Sequence, residues 1–313
     1  IARKGYGIYQ QAFFPLYPKL IEYLTPLFKG RNLLAALTIS WVSFFLALFL
    51  FYKLVKLDFE DKIAKRTIFY LLIFPTAFFF SSVYTESTFL FLVIGSFYFA
   101  RTKKWWLAGI LGAFASGTRL VGIFLLPALL IEWFEQGREG KETKKDLISL
   151  VPIFLIPLGL LSYMNFLAIN YNDPLKFIHV QSAFAMGRTT DKIILLYQVF
   201  WRYLKMIMET RFDPLYFRVW LELITSILFL ILLFLGFLKK IRPAYIIFSI
   251  LAFIMPTMSG TFLSMPRFVL TLFPGFMMMA LIENRIFRIC AVGISLIGLA
   301  IFTMLFSQGY FVG

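Results

Sequence analysis

Between Leu33 and Val55 the chain carries no Asp, Glu or Arg, and Lys53 is the one charged side chain in the stretch. About 20 apolar residues in a helix cross the roughly 30 Å hydrocarbon core of a bilayer, where only helices and closed barrels satisfy every backbone N–H and C=O. Further apolar stretches lie at about 67–83, 88–100, 105–118, 120–134, 147–169, 219–238, 243–258, 268–283 and 289–306. The spacing therefore predicts an all-α, polytopic transmembrane bundle of about ten helices forming a single integral membrane domain over 1–313, with longer outer loops at 1–32 and 170–218. Several stretches are shorter than a full span, so their ends run into the headgroups or are covered by protein. The composition agrees: 60% hydrophobic and 15% charged residues, against about 45–50% and 25% in soluble domains. Disorder, collagen and disulfide scaffolds are excluded. Cys290 is the single cysteine and His179 the single histidine, which removes disulfides and Cys- or His-cluster metal sites.

Lys and Arg total 31 against 16 Asp and Glu, a net charge of +15. In a soluble domain this excess points to nucleic acid; here the basic residues sit beside apolar spans, where topology and anionic headgroups account for them, so no nucleic-acid partner is expected. If the first span runs from outside to inside, the inner loops at 53–66, 101–104, 135–146, 239–242 and 284–288 hold seventeen of the basic residues, and the short outer turns hold Arg119 and Arg267. The segment 105–134 reads either as one long helix or as two broken near Gly117-Thr118-Arg119, and the charge count favours the break. In 193–208, Gln198, Arg202 and Lys205, with Glu209 next, follow at offsets of 4, 3 and 4. That places them on one face of an amphipathic helix lying in the outer interface.

The outer side collects Glu86, Arg119, Asp173, His179, Gln181, Arg188, Asp213 and Arg267. Charges near membrane helix ends are functional candidates because lipid solvates them poorly. Each also has a structural use: Glu86 after Thr85 as an acid at a capped helix start, Arg119 and Arg267 as interface anchors, Asp173-Pro174 as a turn, and His179 as a lone packing histidine. Cations at the mouth of a bundle with a carboxylate nearby suit a lipid-linked phosphate donor, since Arg pairs bidentately with phosphate and a carboxylate accepts a proton from an attacking hydroxyl. They equally suit an anion transporter or flippase, which would show inverted repeats and midplane charges.

Five pieces occur in an order that resembles the PIG-V (GPI mannosyltransferase II) group of GT-C glycosyltransferases. They are Ile1-Ala2 with Gly5-Tyr6 and Ala12-Phe13-Phe14-Pro15-Leu16-Tyr17-Pro18; Phe74-Pro75-Thr76-Ala77 with Tyr84-Thr85-Glu86-Ser87; Ala115-Ser116-Gly117-Thr118-Arg119 with Gly122; Asp173-Pro174-Leu175 with Gln181 and Arg188; and Ser264-Met265-Pro266-Arg267-Phe268 with Phe273-Pro274. The resemblance implies a GT-C-like fold and inverting transfer of a hexose, most simply mannose, from a polyprenyl or dolichyl phosphate to a glycolipid or glycan acceptor on the outer or lumenal face. It implies donor-phosphate contacts at Arg267 and Arg119, and an acceptor and sugar pocket shaped by Glu86, Gln181 and Arg188. The acid that activates the acceptor in that family precedes the Ile-Ala..Gly-Tyr element, so a catalytic Asp is expected upstream of Ile1, residues 1–313 alone are expected to be inactive, and no catalytic residue is assigned within them. No metal or cofactor is expected. The location implied is a multi-pass protein of a prokaryotic cell membrane, or of the endoplasmic reticulum membrane in a eukaryote.

Overall fold

A computed structural model describes residues 1–2, 5–139, 147–184, 188–189, 192–209 and 214–312, and among these the regular structure is entirely helical. In chain order the α-helices are α1 (Leu16–Leu24), α2 (Asn32–Lys56), α3 (Asp61–Ile73), α4 (Glu86–Arg101), α5 (Trp105–Ser116), α6 (Leu125–Glu139), α7 (Ile156–Tyr171) and α8 (Lys176–His179). They continue with α9 (Gln181–Phe184), α10 (Leu196–Glu209), α11 (Pro214–Leu238), α12 (Pro243–Thr257), α13 (Met265–Phe268), α14 (Phe273–Leu281) and α15 (Arg285–Ser307). Asp213 and residues 140–146 of the inner loop lie outside the described residues.

Five helical stretches among the described residues are long and apolar enough to cross a membrane: Asn32–Lys56, Leu120–Arg138, Leu147–Tyr171, Tyr216–Leu238 and Arg285–Ser307. Others of the expected spans are helical but short. The stretch read as 67–83 begins earlier and stops at Ile73, because Phe74 precedes Pro75 and takes an extended ψ of 141°. The stretch read as 268–283 is broken at Leu272, ahead of Pro274, into a 3-10 turn and α14. Both α4 and α14 bury most of their side chains, so protein rather than lipid covers these short helices.

The chain divides into two compact units, Ile1–Leu57 with Phe80–Met186, and Asp58–Phe79 with Gly187–Gly313. In the first, α4 packs between α2 and α5, and α5 lies against α7 and the 3-10 stretch Leu147–Leu155 that leads into it. Helices in lipid associate through close contact, which small residues permit. A Cβ on Gly109 would stand 2.0 Å from the Pro152 carbonyl oxygen, and one on Gly159 would stand 1.9 Å from that of Ala113. The break after α5 is real: Arg119 is extended (φ −153°, ψ 143°), and a Cβ on Gly122 would fall 2.5 Å from the backbone of Ala115. Seven residues span about 10 Å in a continuous helix, so the chain turns back on itself here. Aromatic residues tie the N-terminal segment to α7: Tyr163 donates to the Gln11 carbonyl (2.7 Å) and stacks on Tyr6 with ring centroids 6.0 Å apart.

In the second unit α14 packs against α3 and α11. Arg66 donates to the Ala280 carbonyl at 2.9 Å, supplying a cation and a donor where α14 ends. The amphipathic helix expected at 193–208 forms as α10 and has three faces. Val199 and Tyr203 are buried. Gln198, Arg202, Lys205 and Glu209 make the polar face, roughly 100° around from a stripe of exposed apolar residues, Tyr197, Trp201, Leu204 and Met208. The exposed stripe repeats at offsets of 4, 3 and 4, as a helix with one side against lipid does.

Candidate functional site

The five residues singled out from the sequence fall in both units. Glu86, Arg119 and Gln181 belong to the first, Arg188 and Arg267 to the second.

In the first unit the turn after α5 presents Arg119 to the start of α4, where its Nη1 lies 3.3 Å from Glu86 Oε1. The carboxylate is buried, and the guanidinium also lies 5.4 Å from the Phe89 ring centroid. Thr85 makes no side-chain capping bond, so the local helix-start use of the Thr85-Glu86 pair is only half realised. What holds Glu86 is a cation from another helix-terminal turn. Close by, Tyr17 donates to or accepts from Ser40 (2.8 Å) and donates to the Ala36 carbonyl (3.0 Å). Burial raises the Tyr17 pKa, and the Glu86 charge adds to the rise. The tyrosine therefore stays a neutral donor beside the ion pair.

Gln181 Nε2 donates one turn back to the Phe177 carbonyl at 3.1 Å. Asp173 accepts from the Leu175 N–H (3.0 Å) and meets His179 Nδ1 at 2.8 Å, closing the turn as Asp-Pro sequences do. The hydrogen bond from His179 holds the half-buried Asp173 carboxyl below the usual aspartate range. An open hollow of about 430 Å³ in this unit is lined by Tyr6, Gln10 and Asn32 among others, and none of the five candidates lines it.

The second unit contains a denser cluster, centred on a residue that pattern reading passed over. Glu222 sits inside the apolar span of α11 and is buried. Its Oε1 accepts from Arg218 Nε (3.0 Å), one turn earlier on the same helix, and its Oε2 accepts from the Tyr203 hydroxyl (2.5 Å). Tyr203 comes from the buried face of α10. Its oxygen also accepts from the Phe262 N–H (3.0 Å) and shares a hydrogen bond with Thr261 (3.0 Å). Burial raises the Tyr203 pKa, and the Glu222 carboxylate raises it further, so the phenol remains protonated and donates.

Arg188 faces this cluster. Its pKa is lowered first by burial and then by the charge of Arg267, while Glu222 and Tyr203 oppose the shift. Arginine stays charged despite such a depression, so two guanidinium groups are held within electrostatic reach of each other. Hydrogen bonds tie the chain beside Arg188, and α10, to the turn after α12. Thr189 N–H donates to the Ser259 carbonyl at 3.0 Å, and Arg202 donates to the Gly260 carbonyl at 2.8 Å. Gly260 takes φ +85°, a conformation that glycine adopts without strain. Arg267 lies in the short helix α13, anchored where Thr76 donates to the Pro266 carbonyl (2.6 Å), and its guanidinium stacks near Phe79 (5.7 Å) and Phe268 (5.2 Å). Arg218 thus pairs directly with the buried Glu222 carboxylate, and Arg188 feels the charges of both Glu222 and Arg267. Among the described residues no group of three or more His, Cys, Asp or Glu side chains is arranged to hold a metal.

Comparison with protein-family models, with curated proteins and with solved structures gives no match.

Proposed function

We propose that this protein is a multi-pass membrane glycosyltransferase of the GT-C type, with about ten helices, that moves a hexose, most simply mannose, from a polyprenyl or dolichyl phosphate to a glycolipid or glycan acceptor. The observation that carries the reading is arginine gathered about the buried Glu222: Arg218 bonds it directly, and Arg188 feels the charges of both Glu222 and Arg267. An arginine pair in an otherwise apolar helical chain suits a phosphate that must be gripped as negative charge builds on it during departure. The order of the five sequence pieces shared with the PIG-V group supports the same reading, since Arg188 and Arg267 stand in two of them. Arg188, expected from the resemblance to shape the sugar pocket, is better suited to share the phosphate with Arg267. Arg119 is the weaker cation for that role, because Glu86 already offsets its charge.

The orientation inferred from the basic residues puts the arginine pair on the outer face of the cell membrane or the lumenal face of the endoplasmic reticulum. There α10 would lie along the interface, its apolar stripe toward lipid. The reading is tested by supplying membranes that carry the full-length protein with polyprenyl-phosphate mannose labelled in the sugar. Label should pass to a glycolipid or glycan with release of polyprenyl phosphate. Movement of intact donor across the bilayer with no release would favour a flippase instead.

A further inference from the structure

A second cationic site lies in the first unit, at the turn joining α4 to α5. Lys103 and Lys104 are both exposed there, beside a hollow of about 370 Å³ whose wall continues through Trp105, Trp106 and Leu107 to Ile148 and Ser149. The apolar part of that wall is open: Trp106 is 56% exposed, Leu107 44% and Ile148 70%. The polar groups next to it are otherwise engaged. Ser149 Oγ accepts from Trp133 Nε1 at 2.7 Å, and Glu132, buried beside the end of α4, meets Arg101 at 3.3 Å and Gln136 at 2.8 Å. The charge offered by the hollow is therefore the positive charge of two lysines at the N-terminal end of the twelve-residue α5.

We propose that this hollow binds an anionic phospholipid, with the headgroup phosphate at Lys103 and Lys104 and an acyl chain along Trp106, Leu107 and Ile148. Charge complementarity selects the phosphate, and the continuous exposed apolar wall selects a lipid over a free anion, which would leave that wall against water. Tryptophan and lysine side by side at a helix end match the boundary between headgroups and hydrocarbon. The seventeen basic residues of the inner loops, Lys103 and Lys104 among them, make the inner leaflet the source. The site is independent of the proposed transfer reaction and stands whether or not that reaction occurs.

The test is tryptophan quenching in phosphatidylcholine vesicles containing the protein and either brominated phosphatidylglycerol or brominated phosphatidylcholine at equal mole fraction. A lysine near an anionic surface contributes about fivefold in affinity, so the two together favour phosphatidylglycerol by roughly 5- to 30-fold. This preference should collapse in the Lys103→Gln/Lys104→Gln double variant, whose exposed side chains leave folding untouched. Trp106→Phe should remove the selectively quenched part of the signal. Equal quenching by the two lipids, or a preference that survives the double lysine variant, would overturn the proposal. So would complete loss of the preference on adding inorganic phosphate at matched ionic strength, because that result assigns the lysines to a free anion.

Discussion

Glu222→Gln is the perturbation that reads most deeply into the second unit. The carboxylate accepts from Tyr203 and Arg218 and lies within the field that acts on Arg188. Glutamine keeps one acceptor oxygen but replaces the other with an NH2 that faces donors, and it deletes the negative charge that pairs with Arg218 and acts on Arg188. Removing one partner of a buried ion pair costs about 3–5 kcal/mol. Arg218 is 31% exposed, so water recovers part of that, and the loss is expected at about 2–4 kcal/mol. In a melting experiment on the purified protein this corresponds to a fall of roughly 5–10 °C. The variant should also become anion-dependent: pyrophosphate in the millimolar range should restore much of the lost Tm by supplying the missing negative charge, and should move the wild type far less. A Glu222→Gln protein that melts within about a degree of wild type, or one whose loss is untouched by pyrophosphate, would show that Glu222 is not the counter-ion of an anion site.

Three further outcomes are expected. Gly159→Ala should lower stability by about 1–3 kcal/mol, because its Cβ would stand 1.9 Å from the Ala113 carbonyl oxygen, whereas Gly293→Ala, with nothing within 4 Å, should be neutral or stabilising by up to about 1 kcal/mol; melting of the two variants side by side decides. A cysteine at position 141 should resist membrane-impermeant labelling from outside intact cells, and strong labelling would reverse the topology. Spin labels at positions 201 and 204 should relax with dissolved oxygen and one at 198 with a water-soluble nickel chelate, and identical responses at all three positions would remove α10 from the interface.

How far these features could be read in advance depended on the physics that writes them into a sequence. Long apolar runs such as Asn32–Lys56 and the offset pattern of α10 are periodic signals, and both were legible. The break at Gly117-Thr118-Arg119 was also legible, since small residues and an arginine interrupt an apolar run and the charge count requires a turn there. Proline bounds the helices more tightly than hydropathy does: Pro75 ends α3 and Pro274 splits the 268–283 stretch. The pairing of Glu86 with Arg119 joins residues 33 apart through a turn, and no local pattern encodes that distance. Glu222 carried a usable sign, a lone acid in an apolar span four residues after Arg218, and intramembrane carboxylates are functional candidates by default. Its bond to Tyr203 carried none, because a tyrosine on an amphipathic helix announces only that it is partly apolar.

The central claim is that arginine in the second unit grips the phosphate of a polyprenyl-linked sugar donor. It is tested most directly by the rate of labelled-mannose transfer from polyprenyl-phosphate mannose in membranes carrying the full-length protein as wild type, Arg267→Ala or Arg267→Lys. A charge-assisted contact that tightens as the phosphate departs contributes about 3–4 kcal/mol, so Arg267→Ala should slow transfer by roughly 100- to 1000-fold. Arg267→Lys should fall between the two, since the charge remains but the planar fork is lost, while membrane insertion and melting stay close to wild type in both variants. Full activity with lysine, together with an alanine variant whose defect is in expression or stability rather than turnover, would make Arg267 an interface anchor and contradict the account.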